Sequence, residues 1–239
     1  VTASEAGGGA GVLARIDSVN VGLPRPARLP AALATGQDAR DTYFTAIVKA
    51  PVLRPVAVSA GNLAGDAQAD TKNHGGPDKA VHAHFARHLA WWGEMRGWPV
   101  SPGEIGENLT LGAAFGGRQP DETDFCIGDI VAAGTAVLQV TQPRIPCFKQ
   151  AAALLVADAV RLAGATGRTG MYLRVLEEGT LQAGDILSLI ERPNPEVTVA
   201  DANRFIHQAR QDQELRDRLS ACASLGMEVR RRLQAEPNR

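Results

Sequence analysis

What most limits the folds open to this chain is its punctuation. Short apolar, β-branched runs recur along it, and glycine or proline interrupts them before a helical period is established. VLARIDSVNV (12–21) alternates well enough for a first strand, and LPRPARLPA (23–31) reads as an exposed, extended connection. TYFTAIVK (42–49) and VLRPVAVS (52–59) are split by Pro51 and Pro55, which suits edge strands or the bends of a barrel. Further strands are expected in GENLTLG (106–112), DFCIGDIVAAG (124–134), TAVLQVTQPR (135–144), MYLRVLEEG (171–179) and ILSLIER (186–192). Only two long helical patterns stand between them, over 79–95, ended by Gly97 and Pro99, and over 151–163. Many short strands joined by glycine turns, with few helices between, predict a mainly β fold closed into a barrel or barrel-like sheet.

Past Arg192-Pro-Asn-Pro195 the texture changes. The spans 199–210, 213–221 and 226–233 are short, charged and helical in period, with Leu215, Leu219, Leu225, Val229 and Leu233 as an apolar stripe. The expected division is a floppy N-terminus (1–11, without the regions of a signal peptide), a β domain (12–192) and a small three-helix unit (197–239). That last unit is too small to be stable unless it packs on the main domain or on a second subunit. A net charge of −1 gives no global reason to expect nucleic acid or membrane binding, and no apolar run approaches a membrane span. Three cysteines without a CxxC fit a reducing cytoplasm, with the thiols kept for packing or chemistry.

Chemistry concentrates in two stretches. GNLAGDAQADTKNHGGPDKAVHAHFARH (61–88) crowds Asp66, Asp70, Lys72, His74, Asp78 and Lys79 around a Gly75-Gly76-Pro77 bend. Open backbone N–H groups at the two glycines, with Lys72 and Lys79 close by, could hold a phosphate or another oxyanion; the plainer reading is a solvated turn. Asp66 and Asp70 suit turn capping better than an acid–base pair. His84 and His88 lie four apart on the expected helix, a spacing that can bind zinc, but Trp91 and Trp92 follow and favour histidines half buried against aromatics. In the second stretch, QPRIPCFK (142–149), Cys147 sits on a proline-stiffened loop between Arg144 and Lys149, and nearby positive charge favours the thiolate. A buried packing role for Cys147 stays equally open, while Cys126, in an alternating strand, and Cys222, on the last helices, read as packing. Neither GxGxxG nor GxxxxGK[ST] occurs. The residues alone therefore define a β-rich domain with one candidate anion loop and one activated cysteine.

Taken in order, FTAIVKAPV, GNLAGDAQADTKNHGGPDKAVHAH, GENLTLG, FCIGDIVAAGTAVLQVTQPRIPCFK and TGMYLRVLEEGTLQAGDIL resemble the MOSC domain family, the domain also found at the C-terminus of molybdenum cofactor sulfurases. Within it, the three-helix tail is similar to that of the YiiM-like branch. The resemblance implies a MOSC β-barrel and a molybdenum-pterin cofactor. Cys147 matches the family's single cysteine, which ligates molybdenum or carries a persulfide, and thiolate is a suitably soft ligand. Lys72, His74, Gly75, Gly76, Lys79, Asn108, Thr110 and Arg144 are the expected cofactor contacts, with His74 also the expected proton donor. The implied activity is reduction of N-hydroxylated bases such as 6-hydroxylaminopurine, a detoxification that draws electrons from a separate flavin or iron–sulfur reductase. Two alternatives remain: a carrier of the cofactor or of sulfur on Cys147, and a non-catalytic anion-binding module. The tail could also pair two subunits into a homodimer. One departure is visible, since the branch usually has Tyr where His84 stands.

Overall fold

The longest strand, β1 (Val12–Val21), has neighbours on both sides, antiparallel β13 (Ile186–Glu191) and antiparallel β8 (Leu109–Gly112). That double pairing closes the sheet. Residues 11–30, 42–70 and 75–235 are described by the computed structural model. In them the order runs from β13 to β9 (Ile130–Ala133), β10 (Ala136–Pro143), β11 (Met171–Glu177), β7 (Val81–Phe85), β8 and β1, then back to β13. The result is a closed seven-stranded barrel, which removes the free edges that an open sheet would present. Short strands decorate it: β4 (Ala50–Pro51) adds to β1, and β12 (Gly179–Leu181), β5 (Val56–Ser59) and β6 (Asn62–Leu63) form a small sheet.

The β7–β8 pair is parallel and so needs a crossover, which contains α1 (Ala86–Arg96). The helix expected over 79–95 is thus a strand for its first third. Val81, Ala83 and Phe85 point into the main core while His82 and His84 take the opposite face, and all five residues are buried. Burial on both faces hides a strand behind a helix-compatible apolar pattern. His84 and His88 accordingly do not share a helix: one ends the strand and the other opens α1. The C-terminal stop is as expected, with Gly97 in the left-handed region at φ 88°.

Two further expectations are corrected. The single helix over 151–163 is two, α2 (Phe148–Leu154) and α3 (Ala159–Thr166), broken where Leu155 turns left-handed at φ 57°. The break lets Ala151, Leu154, Ala159 and Ala163 join Leu89 and Trp92 of α1 in one satellite core. The proline-rich connection is extended, but Arg25–Arg28 is not loose: as β2 it pairs with β3 (Thr42–Thr45). Cys126 lies outside any strand, making an isolated bridge to Thr198.

That bridge belongs to the seam between barrel and tail. Helices α4 (Val199–His207), α5 (Gln213–Ala221) and α6 (Met227–Gln234) bury Phe205, Leu215, Leu219, Cys222, Leu225, Val229 and Leu233 in the same core as the barrel's Ile16, Leu138 and Leu187. Backbone bonds from Ile127 N to Val197 O and from Val199 N to Phe125 O fasten the join. A shared core couples the two parts energetically, so Leu219→Ala should cost about 2–5 kcal/mol and shift one cooperative transition in denaturant, monitored both by far-UV CD and by tryptophan fluorescence. A biphasic curve would show a separately folding tail.

Candidate functional site

The cysteine expected to be reactive stands at the mouth of a cavity beside one end of the barrel. Pro143 ends β10, and Arg144-Ile-Pro-Cys147 leads into α2, whose N-cap position Cys147 occupies with extended backbone. Cys147 is half-buried, whereas Cys126 and Cys222 are buried and their thiols are pushed up to about 11 by burial. Around Cys147 the cavity is walled by Lys49, Lys79, His82, Asn108, Arg144, Lys149 and Tyr172, with Asp70, Gly106 and residues 45–47 and 67–69 completing it. An adjoining hollow shares Asp70, Lys79, Cys147, Lys149 and Tyr172 and adds Glu228 from α6. Tyr43 and Phe148 stack edge to face beside it, ring centroids 5.5 Å apart.

The cationic walls are not equivalent. Arg144 is buried, and its guanidinium bonds to Gln150, a neutral amide, with no salt bridge to a carboxylate among the described residues. Lys79 pairs with Glu228 and lies 5.8 Å from the centre of the Tyr172 ring. Lys49 is paired with Asp66, and burial lowers its ammonium while Asp66 partly restores it. Asp66 is more than a turn cap. Its carboxylate also accepts from Gly22 N at 2.8 Å and Asn108 Nδ2 at 3.0 Å. Asn108 in turn accepts from His82 N and donates to Asn20 O. The cavity floor is therefore a fixed polar network, worth most where it is most buried.

Of the residues expected at the site, the structure brings together Cys147, Arg144, Lys79 and Asn108. Thr110 lies off the cavity wall, its hydroxyl accepting from Asn20 Nδ2 and donating to Glu107. Gly75 and Gly76 precede a short 3-10 turn (Pro77–Lys79) without lining the cavity, Gly76 taking φ 97°. Lys72 and His74 fall outside the described residues. Lys49, His82, Tyr172 and Glu228 were not anticipated as walls. His82 had a signal, the alternation V-H-A-H-F; Glu228 had none, because nothing local ties a charged helix face to a cavity built elsewhere in the chain. Among the described residues, no group of three or more His, Cys, Asp or Glu is arranged to hold a metal ion.

These features match those of known proteins. A model of the MOSC domain matches residues 70–188. The uncharacterized protein YflK of Bacillus subtilis is 42% identical over 161 residues, 67% of this chain and 70% of that one. The chain belongs to the MOSC domain family. A crystal structure of YiiM from Geobacillus stearothermophilus superposes with a TM-score of 0.73 at 32% identity, covering 92% of this chain and 97% of that one. The helical tail is included in that coverage, and with it the chain falls in the YiiM-like branch. A Gibberella moniliformis protein named reductase is 35% identical over 72% of this chain, which spans 30% of it. No helix among the described residues is long and apolar enough to cross a membrane.

Two buried carboxyls near the site titrate unusually. Glu107 and Glu122 are pushed up to about 7, chiefly by burial. Glu107 accepts from Gly103 N at 2.6 Å through Oε1, while Oε2 has no partner. A folded-state value above the unfolded one means that the fold holds a proton the unfolded chain has already released. The stability this confers is complete below the unfolded value and is lost as pH rises through about 7. Glu107→Gln should therefore flatten the loss of Tm between about pH 5 and pH 8, retaining on the order of 3 kcal/mol at the alkaline end. A wild-type profile already flat across that range would contradict the assignment.

Proposed function

We propose that the protein is a molybdenum-cofactor-dependent reductase of N-hydroxylated compounds, including bases such as 6-hydroxylaminopurine. One observation carries the reading: a half-buried cysteine lines a cavity together with Lys49, Lys79, Arg144, Lys149, His82 and Asn108, with Asp70 the one carboxylate among its lining residues. That donor set fits the cofactor. A soft sulfur ligand suits molybdenum, and Arg144, Lys79 and Lys149 suit the phosphate of an organic ligand. Cys147 would hold the metal, with Asn108 available to the pterin. Support also comes from the relative named reductase.

When bound, the cofactor would supply the two-electron change of the N–O cleavage. The chain's own residues do the rest. Reduction of R–NH–OH to R–NH2 and water consumes two electrons and two protons, so the site must deliver protons as well as hold the substrate. His74 and the cavity-lining His82 are the imidazoles proposed to handle them. Tyr43 and Phe148 present an aromatic rim against which a planar base can rest. Electrons come from a flavin or iron–sulfur reductase.

The test is elemental analysis of protein produced in a host able to make the cofactor, with hydroxylamine-reductase activity measured in a reconstituted electron-transfer chain. Near-stoichiometric molybdenum and turnover in the wild type are expected, with both lost in Cys147→Ser. Bound molybdenum without turnover would point to a carrier. No molybdenum, beside a loaded control enzyme from the same cells, would point to an anion-binding module. Glu228→Gln removes the carboxylate that neutralises Lys79 and should tighten binding of inorganic phosphate several-fold by calorimetry; weaker binding would show Glu228 to be a structural support instead.

A further inference from the structure

Two hollows meet at Cys147, and they differ in charge. Among the described residues, the cavity on the Arg144 side is lined by Lys49, Lys79, Arg144 and Lys149 against a single carboxylate, Asp70. Lys49 is offset from behind the wall by Asp66, which still leaves cations in excess. The adjoining hollow shares Lys79, Lys149 and Asp70, lacks Arg144, and gains Glu228. Its charged lining is thus Lys79 and Lys149 balanced by Asp70 and Glu228. Ile145, Pro146, Phe148 and Tyr172 form the rest of its wall, and Phe148 carries that apolar surface on to Tyr43.

The first turn of α6 is pinned where it puts Glu228 on that wall. Gly226 N donates to Thr141 O at 3.0 Å, and Met227 N donates to Asp78 Oδ2 at 2.8 Å. Arg174 bridges Asp78, at 2.8 Å, and Ser224 O, at 2.9 Å. The approach is close, since a Cβ at Gly226 would lie 2.1 Å from Gln142 Oε1. Lys79, next to Asp78, then takes the Glu228 carboxylate. The helix dipole favours an acidic residue in a first turn, but it favours no direction across the turn. Here the carboxylate is aimed at the barrel. Lys79 has a side chain 10% exposed, whereas that of Glu228 stays 31% exposed. With Arg232 3.5 Å away as well, the carboxylate is held ionised and still lines the hollow.

We propose that the two hollows divide the ligands: the anionic cofactor on the Arg144 side, and an uncharged substrate in the hollow beside α6, where Glu228 is the specificity-determining residue that turns anionic substrates away. The naming of cofactor and substrate rests on the function proposed above; the charge selection at Cys147 does not. Hydroxylamino bases and their nucleosides are accepted, and the corresponding 5′-phosphates are refused.

The physical basis is a difference in cost. An anion entering the hollow beside α6 meets two carboxylates, Asp70 and Glu228, in a site partly shielded from water, where like charges repel more than they do in bulk solvent. An uncharged ring meets no such penalty and gains the apolar wall. On the Arg144 side the preference reverses, because there the cations outnumber the one carboxylate. Specificity built on repulsion of the wrong ligand needs no extra contact to the right one.

The test alkylates Cys147 in cofactor-free protein with uncharged iodoacetamide and with iodoacetate, an anion of similar size. Both react with the same thiolate, so the ratio of their rates cancels any change in thiolate fraction and reads the local charge. Cys126 and Cys222 are buried, and peptide mass spectrometry confirms the site of reaction. Glu228→Gln should raise the iodoacetate-to-iodoacetamide ratio at least about threefold, and the gain should shrink in about 1 M salt. Glu228→Asp keeps the charge and should hold the ratio within about twofold of wild type. A ratio unmoved by Glu228→Gln, or moved as far by Glu228→Asp, overturns the proposal. In loaded enzyme, Glu228→Gln should raise kcat/KM for the 5′-phosphate relative to the free base by a similar factor. An equal loss for both compounds, as from a purely structural role, also overturns it. Protein that shows the alkylation result but reduces neither compound counts against the reductase reading and leaves the charge selection standing.

Discussion

The buried carboxylate of Asp66 is the interaction on which the site depends. It draws together the end of β1 through Gly22, the segment before β4 through Lys49, and the start of β8 through Asn108. These pieces are distant in sequence, and without a common acceptor each would present an unsatisfied donor in a low-dielectric interior. Removing one member of a buried ion pair costs about 3–5 kcal/mol because its partner's charge is left behind. The same network holds Asn108 against His82, so the floor of the cavity and the first imidazole behind it are positioned together.

The barrel makes that floor rigid, and it explains why so many ionisable groups are tolerated beneath it. A closed sheet satisfies its own backbone, and side chains such as Glu107, whose Oε2 has no partner among the described residues, and His84 are buried against it. Their costs depend on pH with opposite sign. Histidines held neutral lose stability as pH falls below their unfolded value, and glutamates held protonated lose it as pH rises from their unfolded value through about 7.

Much of the barrel was legible in the sequence because its strands are short, alternating and bounded by glycine. Strand β7 was not read correctly, although V-H-A-H-F alternates, because the apolar pattern runs on without a break into α1. The split between α2 and α3 carried no glycine or proline to announce it; Leu155 adopts the left-handed cap because the satellite core rewards the bend. At the site, Cys147 and Arg144 could be read from a stiff, cationic, proline-flanked loop. Lys49 and Glu228 could not, since each gains its place from a partner far along the chain, and a single sequence holds no local trace of such pairings.

The ion pair between Lys79 and Glu228 joins residues 149 positions apart. During synthesis Lys79 and Cys147 leave the ribosome well before α6 does, and domains tend to organise as they emerge. Until α6 docks, the cavity lacks one negative charge that it has in the finished fold. The charge of the pocket is therefore complete only once the last helix is docked, so the tail sets part of the electrostatics of the site.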